Sequence, residues 1–212
     1  MLPLIGLSNL TPWVDGLLEQ ALPGSLAAEA GAEDVVATED EYGRRPWVAW
    51  ESIEIGPLPG RAPREIADLI EGVVAVEGPV MVVRVTDLLR AASGAPRVSK
   101  SITEAIESGI GSGVRRGSLV VASGRRGEPG SRVMRLPSQA QVVLRTAGPR
   151  DPWTIPPDEL AELSRRVGEH EPGLDRADIK RRVGEVLGYA RHTAALDALL
   201  ESAIEGSAGK TR

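Results

Sequence analysis

Apolar residues recur at helical spacing in two stretches of the chain, and the first stretch begins near Arg64. Ile66, Ile70 and Val73 fall on one helix face, because residues three and four apart are neighbours on a helix surface. A break at 77–79 ends this helix, and the run at 80–83 has the character of a short strand. The sequence therefore predicts a helix followed by a brief extended segment.

Two further helices are predicted between this extended segment and residue 110. The second helix carries Val85 on its apolar face and ends at Gly94, since glycine readily adopts the left-handed conformation that follows many helices. The third helix starts near Ser99 or Ser101, residue types that cap helix N-termini. We expect it to end within the glycine-rich run 109–113.

A β-hairpin is predicted after the third helix. Ser118 to Ala122 and Arg132 to Leu136 have strand-like compositions, and the Gly- and Arg-rich residues between them predict a turn. Three helices followed by a hairpin is the element order of a winged helix, which is a variant of the helix-turn-helix motif.

The same helical pattern returns after Pro156. When residues 65–110 are placed over 159–204 without a gap, 10 of the 46 positions are identical, and Gly94 coincides with Gly188. We therefore expect an internal repeat whose second copy consists of three helices and lacks the hairpin.

The N-terminal quarter differs from both copies. Residues 25–42 are rich in Ala, Gly and acidic residues and predict a linker, whereas Pro46 to Ile55 mixes Trp, Val and Ile with polar residues and predicts a strand. The whole sequence predicts a mostly helical α+β fold of tandem winged-helix/helix-turn-helix-like units with one β-hairpin wing and an N-terminal arm. The expected boundaries are 1–60 for the arm or docking segment with its acidic linker, 61–150 for the unit with the basic wing, and 151–212 for the wingless unit.

Composition narrows the class of protein. The chain contains no cysteine, which excludes disulfides and thiolate metal sites. No apolar run reaches the roughly 18 residues that a membrane-spanning helix needs, and the segment 1–10 lacks the positive charge of a signal peptide. We therefore expect a cytoplasmic protein with no membrane partner.

Charge is distributed unevenly along a chain whose net charge is −5. Residues 97–150 contain ten Lys or Arg and three Glu, a local charge of +7, so the remainder carries −12. A basic island in an acidic chain favours an anionic partner on one surface. The alternative interpretation is that these arginines solubilise a glycine-rich hairpin or pair with the acidic first segment.

Catalytic chemistry finds little support in the sequence. The two histidines, His170 and His192, are not at metal-ligand spacing, and no serine has the sequence context of a hydrolase nucleophile. The run 209–211, Gly-Lys-Thr, lacks the upstream glycine and strand of a phosphate-binding loop. We therefore expect a protein that is not an enzyme and holds no cofactor or metal.

The basic residues predict contact with double-stranded DNA. In helix-turn-helix proteins the first residues of the recognition helix reach the major groove, and arginine side chains suit phosphates and guanine edges. Glu104 and Glu107 oppose this prediction, because carboxylates on the same helix repel phosphates. The predicted DNA-binding residues are Arg97, Ser99, Lys100, Ser101, Arg115, Arg116, Arg125, Arg126 and Arg132.

Several short strings resemble an uncharacterised domain at the C-terminus of large bacterial superfamily-one helicases that also carry a very-short-patch-repair-like nuclease domain. The resemblance covers about residues 64–205 and is carried by Glu65-Ile66, Val76-Glu77-Gly78-Pro79-Val80, Gly94, Arg97, Ile155-Pro156-Pro157-Asp158-Glu159-Leu160 and Leu187-Gly188-Tyr189-Ala190-Arg191. It implies a context of DNA processing, repair or defence. The helicase and nuclease motifs themselves are absent from this chain, so neither activity is carried over.

Two functions follow from these observations. The first is a non-catalytic DNA-binding module that positions a helicase- or nuclease-type protein partner, and the basic island favours it. The second is a protein–protein adaptor or homodimerisation module without direct DNA contact, and the acidic total favours it.

Overall fold

The computed structural model describes residues 39–123, 129–189 and 191–208. Most of the predicted N-terminal arm, together with Arg125 and Arg126 of the hairpin turn, lies outside the described residues. The described residues belong to one compact unit with a mostly helical α+β fold, as predicted. The helices are α1 (Pro63–Glu77), α2 (Val82–Ala92), α3 (Lys100–Arg116), α4 (Pro157–His170), α5 (Arg176–Val186) and α6 (Ala194–Ala208). The strands are β1 (Val80–Met81), β2 (Val120–Ala122) and β3 (Val133–Arg135). Within these ranges, no helix is both long and apolar enough to cross a bilayer.

The first three helices and the three strands share one hydrophobic core. α3 begins after Ser99, whose hydroxyl oxygen accepts a hydrogen bond from the amide of Ile102 at 3.3 Å and so caps the helix. β3 lies between β1 and β2 in an antiparallel sheet, with Met134 opposite both Val80 and Val121. Fully buried side chains of this core are Ile66, Ile70, Leu89, Ile106 and Met134. We call residues 63–136 the first unit.

The third helix is longer than predicted, and its glycines explain why. α3 continues to Arg116, and Gly117 follows it with φ +73°. A Cβ atom on Gly109 would lie 2.5 Å from Ile66 Cγ2, and one on Gly113 would lie 2.6 Å from Leu119 Cδ1. These glycines therefore allow close packing inside the core and do not end the helix, so the expected end within 109–113 was wrong.

The second set of helices, α4 to α6, has a separate core. Its helices start at a constant separation in sequence from those of the first set. The paired helix starts, each 94 residues apart, are Pro63 and Pro157, Val82 and Arg176, and Lys100 and Ala194. Ile106 and Leu200 are both buried at the centres of their third helices. Gly94 and Gly188, after α2 and α5, both have positive φ. We call residues 157–208 the second unit.

The residues before α1 cross both units, and we call residues 39–58 the strap. Tyr42 packs into the core of the second unit, while Ile55 and Leu58 pack into the core of the first. The predicted strand from Pro46 to Ile55 was wrong, because no residue of this segment pairs with a described strand, and the amide of Ile55 donates to the carbonyl of Ala92 in α2 at 3.1 Å. The amide of Trp47 donates to Thr146 Oγ1 at 3.1 Å, and the amide of Trp50 donates to Glu77 Oε1 at 3.0 Å.

Candidate nucleic-acid interface

The N-terminal end of α3 presents the first group of predicted DNA-binding residues. Ser99 caps the helix and its hydroxyl lies 2.9 Å from that of Ser101, so both serines are hydrogen-bonded at the helix start. Lys100 is almost fully exposed, and Arg97 is exposed and forms no ion pair with any described residue. Two exposed cations thus flank the positive end of a helix, an arrangement that attracts phosphate.

The outer face of α3 continues from this end along exposed polar residues. Ile102, Ile106 and Ile110 point into the core, so Glu104 and Glu107 lie on the opposite, exposed side. Arg132, next to β3, forms an ion pair with Glu107. One of the two carboxylates that oppose DNA binding is therefore neutralised by a base of the hairpin.

Arg115 and Arg116 belong to the last turn of α3, beyond the expected end of this helix. Arg115 is exposed. Arg116 pairs with Asp68 at 2.8 Å and with Glu71, and these hydrogen bonds raise its pKa above the usual range of an arginine. Arg116 therefore joins α3 to α1. Since a helix rises about 1.5 Å per residue, this end lies roughly 25 Å from Lys100 along the helix axis.

The other Lys and Arg residues of the basic island differ in their contacts and exposure. Arg135 donates to the carbonyls of Leu136, Pro137 and Gln139, so it stabilises the loop after β3. Arg125 and Arg126 lie outside the described residues. The described bases of the island with exposed side chains available to a ligand are Arg97, Lys100 and Arg115.

Sequence reasoning missed a buried cluster of charges between the two units. Arg145 Nη2 donates to Glu159 Oε2 at 2.9 Å, and Arg150 Nη2 donates to Glu159 Oε1 at 3.1 Å. All three side chains are at most 7% exposed. Arg145 also donates to the carbonyls of Glu77 and Pro79, so the cluster ties the end of α1 to α4. These two arginines serve the fold and cannot reach a ligand.

Two glutamates at equivalent positions fasten the strap to the units. Glu77, the last residue of α1, accepts hydrogen bonds from Arg84 of α2 and from the amide of Trp50. Glu171, directly after α4, accepts from Arg182 of α5 at 2.7 Å and from the Tyr42 hydroxyl at 2.8 Å. The glutamate that recurs 94 residues apart in the sequence was the one signal that could have suggested these contacts.

The equivalent face of the second unit uses its charges internally. Lys180 of α5 donates to Asp197 at 2.8 Å and lies 2.9 Å from Glu201, both on α6. These contacts raise the pKa of Lys180 and lower the pKa values of both carboxyls, because each charge stabilises its partner. Arg191, which occupies the place of Arg97 in this unit, is exposed.

Comparison with other proteins gives no family for this chain. It matches no protein-family model, no curated protein and no solved structure at a significant level. The likeness to helicase tails therefore depends only on the residues that carry it. In the described part of the chain, no group of three or more His, Asp or Glu side chains is placed to hold a metal ion.

Proposed function

We propose that the chain is a non-catalytic DNA-binding module whose first unit is a winged helix, with α3 as the recognition helix and the β2–β3 hairpin as the wing. The element order supports this proposal, since β1 lies between α1 and α2 and joins the sheet beside β3. In helix-turn-helix proteins the second helix of the motif reads the major groove with its N-terminal residues.

The observation that carries the proposal is the exposed basic start of α3. Arg97 and Lys100 are exposed beside a capped helix N-terminus, where a phosphate gains from both the cations and the helix dipole. Arg115 extends the positive charge to the far end of the helix. The pairing of Glu107 with Arg132 removes one of the two repulsive charges on this face.

The second unit is proposed as a copy of the first that no longer binds DNA. The constant spacing of 94 residues between helix starts supports an internal repeat. Its third helix begins with Ala194 where the first unit has Lys100. The carboxylates of Asp197 and Glu201 on this helix form ion pairs with Lys180 of α5. We propose that this unit faces a protein partner of the helicase or nuclease type, as the resemblance to helicase tails implies.

A salt titration with matched variants tests the DNA-binding proposal. Fluorescence anisotropy with a generic labelled duplex should show binding at low salt, with a log–log slope of about −2.7 to −4.5 for roughly three to five phosphate contacts. Arg97→Ala combined with Lys100→Ala should reduce the magnitude of the slope by about 1.8, because two contacts are lost. Arg191→Ala, the matched change in the second unit, should leave affinity and slope unchanged.

Failure of this experiment has a clear meaning. If the unaltered protein binds no duplex at low salt, it is not a DNA-binding module. If Arg191→Ala weakens binding as much as the double variant, the interface is not confined to the first unit. Arg116 is excluded from the set of variants, because its ion pairs with α1 stabilise the first unit.

A second candidate function is supported by the exposed middle of the strap. Val48 and Ile53 are 62% and 58% exposed, and between them only the amide of Trp50 has an acceptor within the described ranges. A segment with unpaired amides and exposed apolar side chains is suited to pair with a strand of a second copy, as in a dimerisation module. Sedimentation equilibrium tests this: a dimer that Ile53→Lys disrupts supports it, and a monomer at all concentrations rules it out.

A further inference from the structure

The two carboxylates on the outer face of α3 are not equivalent. Glu107 forms an ion pair with Arg132, and these side chains are 44% and 29% exposed. Glu104 faces Lys100 at 3.7 Å, and these side chains are 65% and 90% exposed. A pair as exposed as the second is weak, because water and salt screen it and both long side chains keep their freedom. Glu104 is therefore an available acceptor one turn into the helix.

An available carboxylate at this place has few favourable partners on a duplex. A carboxylate only accepts hydrogen bonds, and it repels the phosphate oxygens. The donors on the floor of the major groove are the exocyclic amino groups, N4 of cytosine and N6 of adenine. Cytosine N4 is the partner that Glu and Asp side chains commonly take there. Glu104 thus either weakens binding or contributes by contacting a base.

We propose that Glu104 is a base-reading residue whose carboxylate accepts a hydrogen bond from the amino group of a cytosine in the major groove. This inference depends on the proposed DNA-binding function and deepens it, since it makes the ligand a duplex of selected sequence. Lys100, four residues earlier on the same face, anchors the adjacent phosphate and leaves its loose pairing with Glu104. Adenine N6 offers the same chemistry and is distinguished from cytosine by the experiment.

Selection from a random duplex library tests the proposal with three variants of the 212-residue chain. The unaltered protein should recover a cytosine at one position and bind a duplex changed there about tenfold more weakly. Glu104→Ala should lose that preference and bind unselected duplex more tightly, because a repulsive charge is gone. Glu104→Gln should move the preference to adenine, which glutamine contacts through N6 and N7. Glu107→Gln is the matched control and should keep the cytosine preference.

The possible results separate the two proposals. Duplex binding without any sequence preference, or a preference that survives in Glu104→Ala, overturns the role of Glu104 and leaves the DNA-binding function standing. An adenine in place of cytosine in the sequences recovered by the unaltered protein corrects the base that is read. Absence of duplex binding overturns the proposed function and this inference together. Circular dichroism melts of the exposed Glu104 variants should match that of the unaltered protein, which excludes misfolding.

Discussion

The first and second units each contain three helices, with corresponding starts 94 residues apart, but they differ in their arrangement of surface charge. In the first unit the start of the third helix carries exposed cations, Arg97 and Lys100. In the second unit the equivalent helix starts with alanine, and Lys180 holds its carboxylates Asp197 and Glu201. The comparison teaches that a similar order of helices does not determine the surface charge, since the charges differ on the outer faces of the third helices.

The presence or absence of the hairpin accounts for part of this difference. Glu107 and Glu201 occupy equivalent positions, 94 residues apart, and both are paired. In the first unit the base comes from beside β3, whereas in the second it comes from Arg176 and Lys180 of α5. The second unit, in which no hairpin is described, therefore neutralises the corresponding carboxylate with bases of its own helix α5, and those bases are engaged in ion pairs.

The largest expected effect contrasts Glu159 with Glu65, its equivalent in the first unit. Glu159→Ala leaves Arg145 and Arg150 buried without their carboxylate, and breaking a buried ion pair costs about 3–5 kcal/mol. Glu65 is exposed and pairs with no described residue, so Glu65→Ala should leave stability nearly unchanged. Urea unfolding of the two variants measures the difference. Equal effects would show that the buried charge cluster does not hold the units together.

Truncation of the two central core residues is expected to cost slightly less. Ile106 and Leu200 are 1% and 0% exposed. Replacing either by alanine removes buried methyl groups and leaves a cavity, at a cost of about 2–5 kcal/mol. Thermal melts should show a lower midpoint for both variants. If one variant has the same melting midpoint as the unaltered protein, the two residues are not equivalent in their cores.

A smaller effect is expected where α1 and α3 approach closely. Gly109→Ala should destabilise the first unit by about 1–3 kcal/mol, because the added methyl group meets Ile66 at 2.5 Å and overpacks the core. The second unit has Ala203 at the equivalent position, so its helices already accommodate that methyl group. Gly72→Ala is the control on α1. A Cβ atom added there would meet no atom within 4 Å outside the neighbouring backbone of its own helix, and better helix propensity should stabilise the variant by about 0.5–1 kcal/mol. A stabilised Gly109→Ala variant would contradict the close packing.

The smallest expected effect is a pH dependence that belongs to the second unit. Hydrogen bonds from Lys180 and His192 lower the pKa of Asp197 below its usual value of about 3.9. A carboxyl whose folded pKa is lowered stabilises the fold above the unfolded pKa, and the contribution is lost as the pH falls through the folded pKa. Asp197→Asn should therefore be less stable than the unaltered protein near neutral pH, and the two should converge in acid. Urea titrations at several pH values measure this, and a constant difference would exclude the linkage.

Most of the helices could be predicted from the sequence, because their apolar spacing and their caps are local signals. Ser99 and Gly94 mark helix ends by their own chemistry. Gly109 misled the prediction, because its role is set by Ile66, which lies far away in the sequence and close in the core. A local pattern cannot distinguish a glycine that ends a helix from one that admits a neighbour.

The candidate site was less predictable than the fold, for the same reason. Arg116 and Arg97 look alike in the sequence, yet one is paired with Asp68 and the other is exposed. Arg145 lies in an irregular segment without periodicity, and its partners Glu77 and Glu159 are on different helices. Charge counts along the chain identify a basic region. They do not show which of its cations form ion pairs or hydrogen bonds inside the fold.

The placement of Trp47 provides an intrinsic fluorescent probe between the two units. The guanidinium carbon of Arg84 lies 5.6 Å from the centre of the indole ring, and that of Arg150 lies 5.9 Å from it. Arg84 belongs to the first unit, whereas Arg150 belongs to the segment that leads into the second. In a chain whose other tryptophans are replaced by phenylalanine, we therefore expect indole emission to change when the two units separate.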